Sequence, residues 1–266
     1  MTQAPTRDAV EAAARRLRTA AAAGVACSPV RDLIGSDDLA LAYAVQDTIA
    51  AQRRAGGARV VGRKIGLTSA AVQQQLGVNQ PDFGILFDDM QYADGETVPY
   101  DRLMQPRIEA EVAFVLKDDL AVGDLSLDQV AAAVDYAVAA MEVADSRIDG
   151  WDITFVDTVA DNASAGVYVL GNDRKTLAEF RPKDVAMTMT VTGQDESTGT
   201  GTACLADPLL ALRWLALQAR EFGYPLVSGQ IVLSGALGPM RAVAPGATAA
   251  ATITGLGSVT LNFSKE

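Results

Sequence analysis

At Val60 the chain changes texture, and that change constrains the fold more than any other feature. Before it, apolar residues recur at three- and four-residue intervals. After it they come in short runs, Val60-Val61, Ile108 to Leu116, Val167 to Leu170, Val185 to Val191 and Ile231 to Leu233, separated by Gly, Pro, Asn and Asp. Short apolar runs between turn residues read as strands. The last twenty residues, Thr248 to Phe263, alternate about Gly255-Leu256-Gly257 and predict a terminal hairpin.

The N-terminal portion predicts two helices. Thr6 or Asp8 can cap a run through Leu17 to Ala23 that stops at Gly24, and Ser36-Asp37-Asp38 can open a second through Leu41, Val45 and Ile49 to Gly56-Gly57. Two more interrupt the strands. Ser126-Leu127-Asp128-Gln129 has the form of a capping box and opens an alanine-rich run toward Met141, and Asp207-Pro208 opens Leu209 to Phe222, closed by Gly223. The expectation is an α+β chain with a helical portion over 1–58 and a β-rich body over 59–266, forming one compact unit.

Composition then removes function classes. With 266 residues the chain can bury about three quarters of its unfolded surface, enough to wall a sizeable pocket. A net charge of -11 argues against nucleic acid or an anionic membrane as partner, since both require clustered Lys and Arg. No apolar run approaches a membrane span, and the alanine-rich start lacks a signal peptide's apolar core, so a cytoplasmic location is expected. The chain has no histidine. Ser-His-Asp and Cys-His relays, imidazole-ligated zinc and histidine pH switches are therefore excluded, and proton chemistry falls to carboxylates, lysine, tyrosine, water or a metal. Cys27 and Cys204 form no CxxC pair and are expected as two reduced thiols.

The decapeptide Arg107 to Leu116 carries the strongest chemical signal. At period two, Glu109 and Glu111 share a face with Ala113 and Val115, while Ile108, Ala110, Val112, Phe114 and Leu116 share the other. Both faces are apolar over the second half, so the glutamates sit at one end of a covered surface. Carboxylates two apart on a strand project in parallel from roots about 7 Å apart and can converge on one divalent ion. A solvated strand end is the bland alternative. The covered half of the face and Glu142 strengthen the metal reading without closing the alternative, because Glu142 interrupts the apolar run Ala139 to Ala144 and a buried carboxylate needs a partner. Three carboxylates suit Mg²⁺ or Mn²⁺ and leave positions open for water and substrate.

Five segments, in this order, then resemble a known family: Gly62-Arg63-Lys64-Ile65-Gly66-Leu67-Thr68-Ser69, Gln80-Pro81-Asp82-Phe83-Gly84, the acidic strand, Asp157 to Ser164, and Leu233-Ser234-Gly235-Ala236-Leu237-Gly238-Pro239-Met240. They resemble the 2-keto-4-pentenoate (2-hydroxypenta-2,4-dienoate) hydratases of the fumarylacetoacetate hydrolase superfamily. The resemblance implies a mixed β-roll or sandwich-like body with flanking helices, and a Mg²⁺ or Mn²⁺ site at Glu109, Glu111 and Glu142. It implies addition of water to a 2-hydroxy-2,4-dienoate to give a 4-hydroxy-2-oxo acid, in the breakdown of aromatic or steroid compounds.

Site roles follow from the same resemblance. Lys64 matches the active-site lysine, and Asp82 lies on a loop that approaches the substrate, although Pro-Asp-Phe-Gly also reads as an Asx turn. Asn162, Ser164, Ser234, Gly235 and Leu237 are expected to line the substrate pocket. The implied partners are the small dienoate, further copies of the chain, and the next enzyme of such a pathway, an aldolase. Two other readings stay in view: a 4-oxalocrotonate-type (2-oxo-3-hexenedioate) decarboxylase, which chelates a similar ligand, and a non-catalytic organic-acid-binding partner subunit. The carbon-carbon hydrolases of the superfamily activate water with a histidine that this chain lacks.

Overall fold

The computed structural model describes residues 3–69, 73–74 and 78–266. Helix α1 (Gln3–Ala23) begins earlier than predicted and ends at Gly24, and a four-residue turn, α2 (Arg31–Ile34), leads to α3 (Leu39–Ala55). Asp38 caps α3 as expected, its carboxylate accepting from the Leu41 N–H at 3.0 Å. The body follows with β1 (Val60–Gly66), β2 (Asp82–Phe87), β3 (Gln91–Tyr92), β4 (Thr97–Val98) and β5 (Arg107–Leu116). Next come α4 (Leu127–Ala132), β6 (Val134–Ala144), α5 (Phe155–Ala160), β7 (Ala165–Leu170), β8 (Ala186–Val191) and β9 (Ser197–Thr200). The chain closes with α6 (Pro208–Glu221), β10 (Ile231–Ala236), β11 (Arg241–Ala242), β12 (Thr248–Ile253) and β13 (Gly257–Phe263).

One expectation fails. The alanine-rich run after Ser126 is helical only to Ala132, and Val134 to Ala144 is a strand. Alanine's helix propensity is a weak term. Here it loses to two ladders, because β6 pairs with β5 on one side and β7 on the other. Its alanines are what a strand needs when both faces are closely covered, and from Ala137 onward every residue of β6 is buried.

The larger sheet is mixed, in the order β2-β1-β10-β5-β6-β7-β3, with β11 also pairing to β5. The β1–β10 and β3–β7 pairs are parallel and the others antiparallel. A second sheet, β4-β13-β12-β8-β9, contains the predicted terminal hairpin and packs on β5, β6 and β7. Strand β8 shows why this second sheet has one wet face: Met187, Met189 and Val191 point into the core while Ala186, Thr188 and Thr190 face out. This is the expected α+β architecture of a mixed, sandwich-like body with flanking helices.

The helices cover what the second sheet leaves open. Asp207 caps α6 through the Leu209 N–H, and Ala211, Leu212, Leu215, Ala216 and Ala219 form its buried stripe. Helix α3 is tied to the body by Tyr43, stacked on Phe83 at 4.7 Å, and by Gln46, whose amide donates to the carbonyls of Phe83 and Val159. Cys27 and Cys204 are unpaired. No described helix is long and apolar enough to cross a membrane.

Candidate active site

Two neighbouring strands bring the carboxylates together. Glu109 and Glu111 project from one face of β5, and the antiparallel register sets Glu142 of β6 directly opposite Glu109. One oxygen from each lies within 4.8 Å of the others, the one such cluster of potential metal ligands among the described residues. All three are buried. Burial, and then the charge of Glu142, push Glu109 up to about 7. Burial with Glu142 and Glu109 hold Glu111 well above the usual carboxylate range, and burial raises Glu142 although Lys64 pulls it back. Three carboxylates this close and this dry call for a cation.

Lys64 supplies one positive charge. It stands on β1, three strands from β6 in the sheet order, which at ordinary strand spacing is roughly 14 Å in a flat sheet. Yet its Nζ lies 3.1 Å from Glu142 Oε1, so the sheet is curled around the site. The ammonium donates to the Ala163 carbonyl at 2.9 Å. Burial would lower the lysine's pKa, but Glu142, Asp82, Glu109 and Glu111 outweigh it and hold the group above its ordinary value, so it stays charged.

One lysine does not satisfy the cluster. Glu111 Oε1 and both oxygens of Glu142 are buried with no hydrogen-bond partner, the Lys64 contact being an ion pair without hydrogen-bond alignment. Three buried carboxylates brought to one point, two of them with orphaned oxygens, fit a hard divalent cation.

Strand β10 is shaped around the same point. Its pairing with β5 slips between Leu233, opposite Ala113, and Ala236, opposite Glu111. The irregularity falls at Ser234-Gly235 and turns the Gly235 N–H onto Glu111 Oε2 at 2.7 Å. Gly235 has φ +108°, and a Cβ there would collide with the Thr68 side chain, so only glycine fits. Ser234 is buried with its hydroxyl unpartnered, and its carbonyl accepts from Cys204 Sγ at 2.9 Å.

Asp82 opens strand β2 and does not form an Asx turn. It is buried, and burial raises its carboxyl although Lys64 opposes the shift. Its Oδ1 has no partner and occupies the space above Gly66, beside the Lys64 ammonium. Its Oδ2 accepts from Thr158 Oγ1 at 3.4 Å, and that hydroxyl is 3.5 Å from Ser164 Oγ.

The structure thus brings Lys64, Asp82, Glu109, Glu111, Glu142 and Gly235 to one locus, with Ser164 one hydroxyl behind. Leu237 lies in the core, its N–H donating to the Ala110 carbonyl. Asn162 has both ends of its amide engaged by Ile85: Oδ1 accepts from the backbone N–H at 2.7 Å and Nδ2 donates to the carbonyl at 3.0 Å. Sequence reasoning missed Thr158, Thr68, Cys204 and the Ala163 carbonyl. Thr68 and Thr158 stand inside segments already singled out, but a threonine there carries no signal of its own, and no residue type announces a carbonyl.

A family model, fumarylacetoacetate (FAA) hydrolase C-terminal, matches residues 59–263. The 2-keto-4-pentenoate hydratase of Burkholderia vietnamiensis strain G4 is 50% identical over 258 residues, 97% of this chain and 98% of that one. The TodF product hydratase of Pseudomonas putida F1 is 50% identical over 257 residues, covering 97% and 96%. Among solved structures, 4-oxalocrotonate decarboxylase from Pseudomonas putida G7, complexed with magnesium and adipate, superimposes with a TM-score of 0.92 at 33% identity, covering 97% of this chain and 98% of that one. The chain therefore belongs to the fumarylacetoacetate hydrolase superfamily and, within it, to the 2-keto-4-pentenoate hydratases.

Proposed function

We propose that this hydro-lyase adds water to 2-hydroxypenta-2,4-dienoate, or a close homologue, to give a 4-hydroxy-2-oxo acid, using a divalent cation held by Glu109, Glu111 and Glu142. The observation that carries the reading is the buried triad of carboxylates, two of them with orphaned oxygens, with a charged lysine and a protonatable aspartate beside it. Mg²⁺ or Mn²⁺, when bound, supplies Lewis-acid chemistry for a chelating 2-oxo acid. Hydration asks for a proton to leave the 2-hydroxyl and one to arrive at C5, and then for OH to add at C4 and H at C3.

The chain's own residues meet those demands in distinct ways. Lys64 presents a fixed, desolvated positive charge to an anionic substrate and to the negative charge that develops at the 2-oxygen. Asp82, whose carboxyl burial raises although Lys64 opposes the shift, places Oδ1 in the same space as a group that can take up and return a proton. Thr158 and Ser164 continue a hydroxyl chain away from Oδ2, and Ser234 and Gly235 complete the β10 side of the pocket. Helix α3 clasps Phe83, next to Asp82, so the 1–58 portion and the 59–266 body work as one unit. The proposal extends to a cytoplasmic homo-oligomer that passes its product to an aldolase.

Purified protein with Mg²⁺ or Mn²⁺, assayed on freshly generated 2-hydroxypenta-2,4-dienoate, tests the reading. The dienol absorbance is expected to fall without release of carbon dioxide, and a chelator to stop the reaction. Carbon dioxide released from 2-oxo-3-hexenedioate would make the protein a decarboxylase instead. Inertness toward both would leave only a binding role.

A further inference from the structure

Three consecutive residues that are not glycine, Asn162, Ala163 and Ser164, have φ of 57°, 51° and 52°. Asparagine tolerates the left-handed region, but alanine and serine do so at a cost, and such conformations persist only where the surroundings over-determine them. The turn is pinned at both ends. Before it, the buried Asp161 carboxylate accepts from the Arg147 backbone N–H and guanidinium and from Ser146 Oγ, and Arg147 also donates to the Asp161 carbonyl. After it, the Ser164 carbonyl accepts from the Asp145 N–H.

Within the turn the Ser164 N–H donates to the Asp161 carbonyl, and the Asn162 side chain ties the middle to strand β2. Strand β2 is the edge of the larger sheet, so Ile85 would otherwise present an unpaired N–H and C=O. The planar amide of Asn162 answers both at once, at 2.7 and 3.0 Å, as one acceptor and one donor. Its own carbonyl lies against Gly84, where a Cβ would not fit. The turn so fixed aims the Ala163 carbonyl at Lys64 Nζ, the ammonium's one hydrogen-bond acceptor among the described residues. It also sets Ser164 Oγ against Thr158.

We infer that Asn162 is a positioning residue: clamped on Ile85, it holds a strained left-handed turn whose Ala163 carbonyl fixes the Lys64 ammonium against the acidic cluster. It does not touch substrate. The kinetic part of this inference rests on the hydratase reading, and the placement of Lys64 does not.

The test compares wild type with Asn162→Ala, Asn162→Asp and Asn162→Gly. The aspartate keeps the acceptor but faces the Ile85 carbonyl without a donor, and the glycine removes the clamp while relieving the φ requirement, which guards against failure to fold. Native-state acetylation, quantified by mass spectrometry against Lys117, Lys175, Lys183 and Lys265 as internal standards, reads the burial of Lys64 without any substrate. Labelling of Lys64 is expected to rise about ten-fold or more in the alanine and aspartate variants. With the dienoate, kcat is expected to fall about ten-fold while KM and the Mg²⁺ dissociation constant stay within about two-fold. Unchanged Lys64 labelling overturns the inference, as does a raised KM with kcat intact, which would make Asn162 a substrate contact. Labelling that rises together with lost Mg²⁺ affinity is general loosening and also overturns it. If the wild type ignores the dienoate, the hydratase reading fails and the labelling result still decides this one.

Discussion

The two oxygens of Glu111 have different surroundings: Oε2 holds the Gly235 N–H, and Oε1 has no protein partner. In Glu111→Gln the hydrogen bond can survive while one of three crowded carboxyls, whose charged forms burial and mutual repulsion disfavour, is lost. The expected result is a change of opposite sign in two measurements. Mg²⁺ affinity, read by calorimetric titration, falls about 100-fold or more. The metal-free protein becomes more stable by about 1–2 kcal/mol in urea melts. Unchanged affinity would remove Glu111 from the ligand set. Lys64→Ala is expected to cut turnover about 100-fold or more and to destabilise the metal-free protein, because the buried Glu142 loses its ion-pair partner. Turnover and KM at wild-type values would refute the role of Lys64. At this scale the carboxylates were legible because a charge inside an apolar run is conspicuous, and Lys64 and Asp82 because their segments are distinctive. The Asn162 clamp was not, since an asparagine in a loop looks the same whether it faces a ligand or a backbone.

Among the elements, the terminal hairpin, the N-terminal helices and α6 were legible from periodicity and caps, and the junction of α4 with β6 was not. Local propensity in the alanine-rich run favours helix, and what overrides it is a partner on each side, information held by β5 and β7. The placement of α5 is a second non-local matter, and it depends on Asp157. This buried carboxylate accepts from the Thr154 N–H and hydroxyl at the start of α5, and from the Val30 and Arg31 N–H groups and the Arg31 guanidinium around α2. Burial pushes its pKa up, but the hydrogen bonds from Thr154 and Arg31 outweigh it and hold the carboxyl below its ordinary value. A depressed folded pKa stabilises above the unfolded value, near 3.9, and that contribution is lost as pH falls through the folded value. Asp157→Asn is therefore expected to lose about 2–3 kcal/mol at pH 7, with the gap to wild type narrowing below about pH 4. Urea midpoints at pH 7, 5 and 3 would show it, and a gap independent of pH would mean that charge is not what Asp157 contributes.

For the whole molecule the governing quantity is a net charge of -11 carried by an enzyme whose proposed substrate is itself an anion. The cation at the triad and Lys64 act at contact range, whereas the excess of acidic residues acts at long range, and salt separates the two. The Debye length shrinks from about 30 Å at 0.01 M to about 8 Å at 0.15 M. At low salt the approaching dienoate meets the repulsion of the entire surface, and at physiological salt only the field of the site mouth. With the metal held saturating throughout, raising NaCl over this range is expected to increase kcat/KM by about two-fold, through a lower KM, while kcat stays constant, because the buried site is shielded from bulk ions. The sign is what matters. A kcat/KM that falls steeply with salt would show that a local cationic field steers the substrate from a distance, and would send the search for its entry path to exposed arginines instead of the buried lysine.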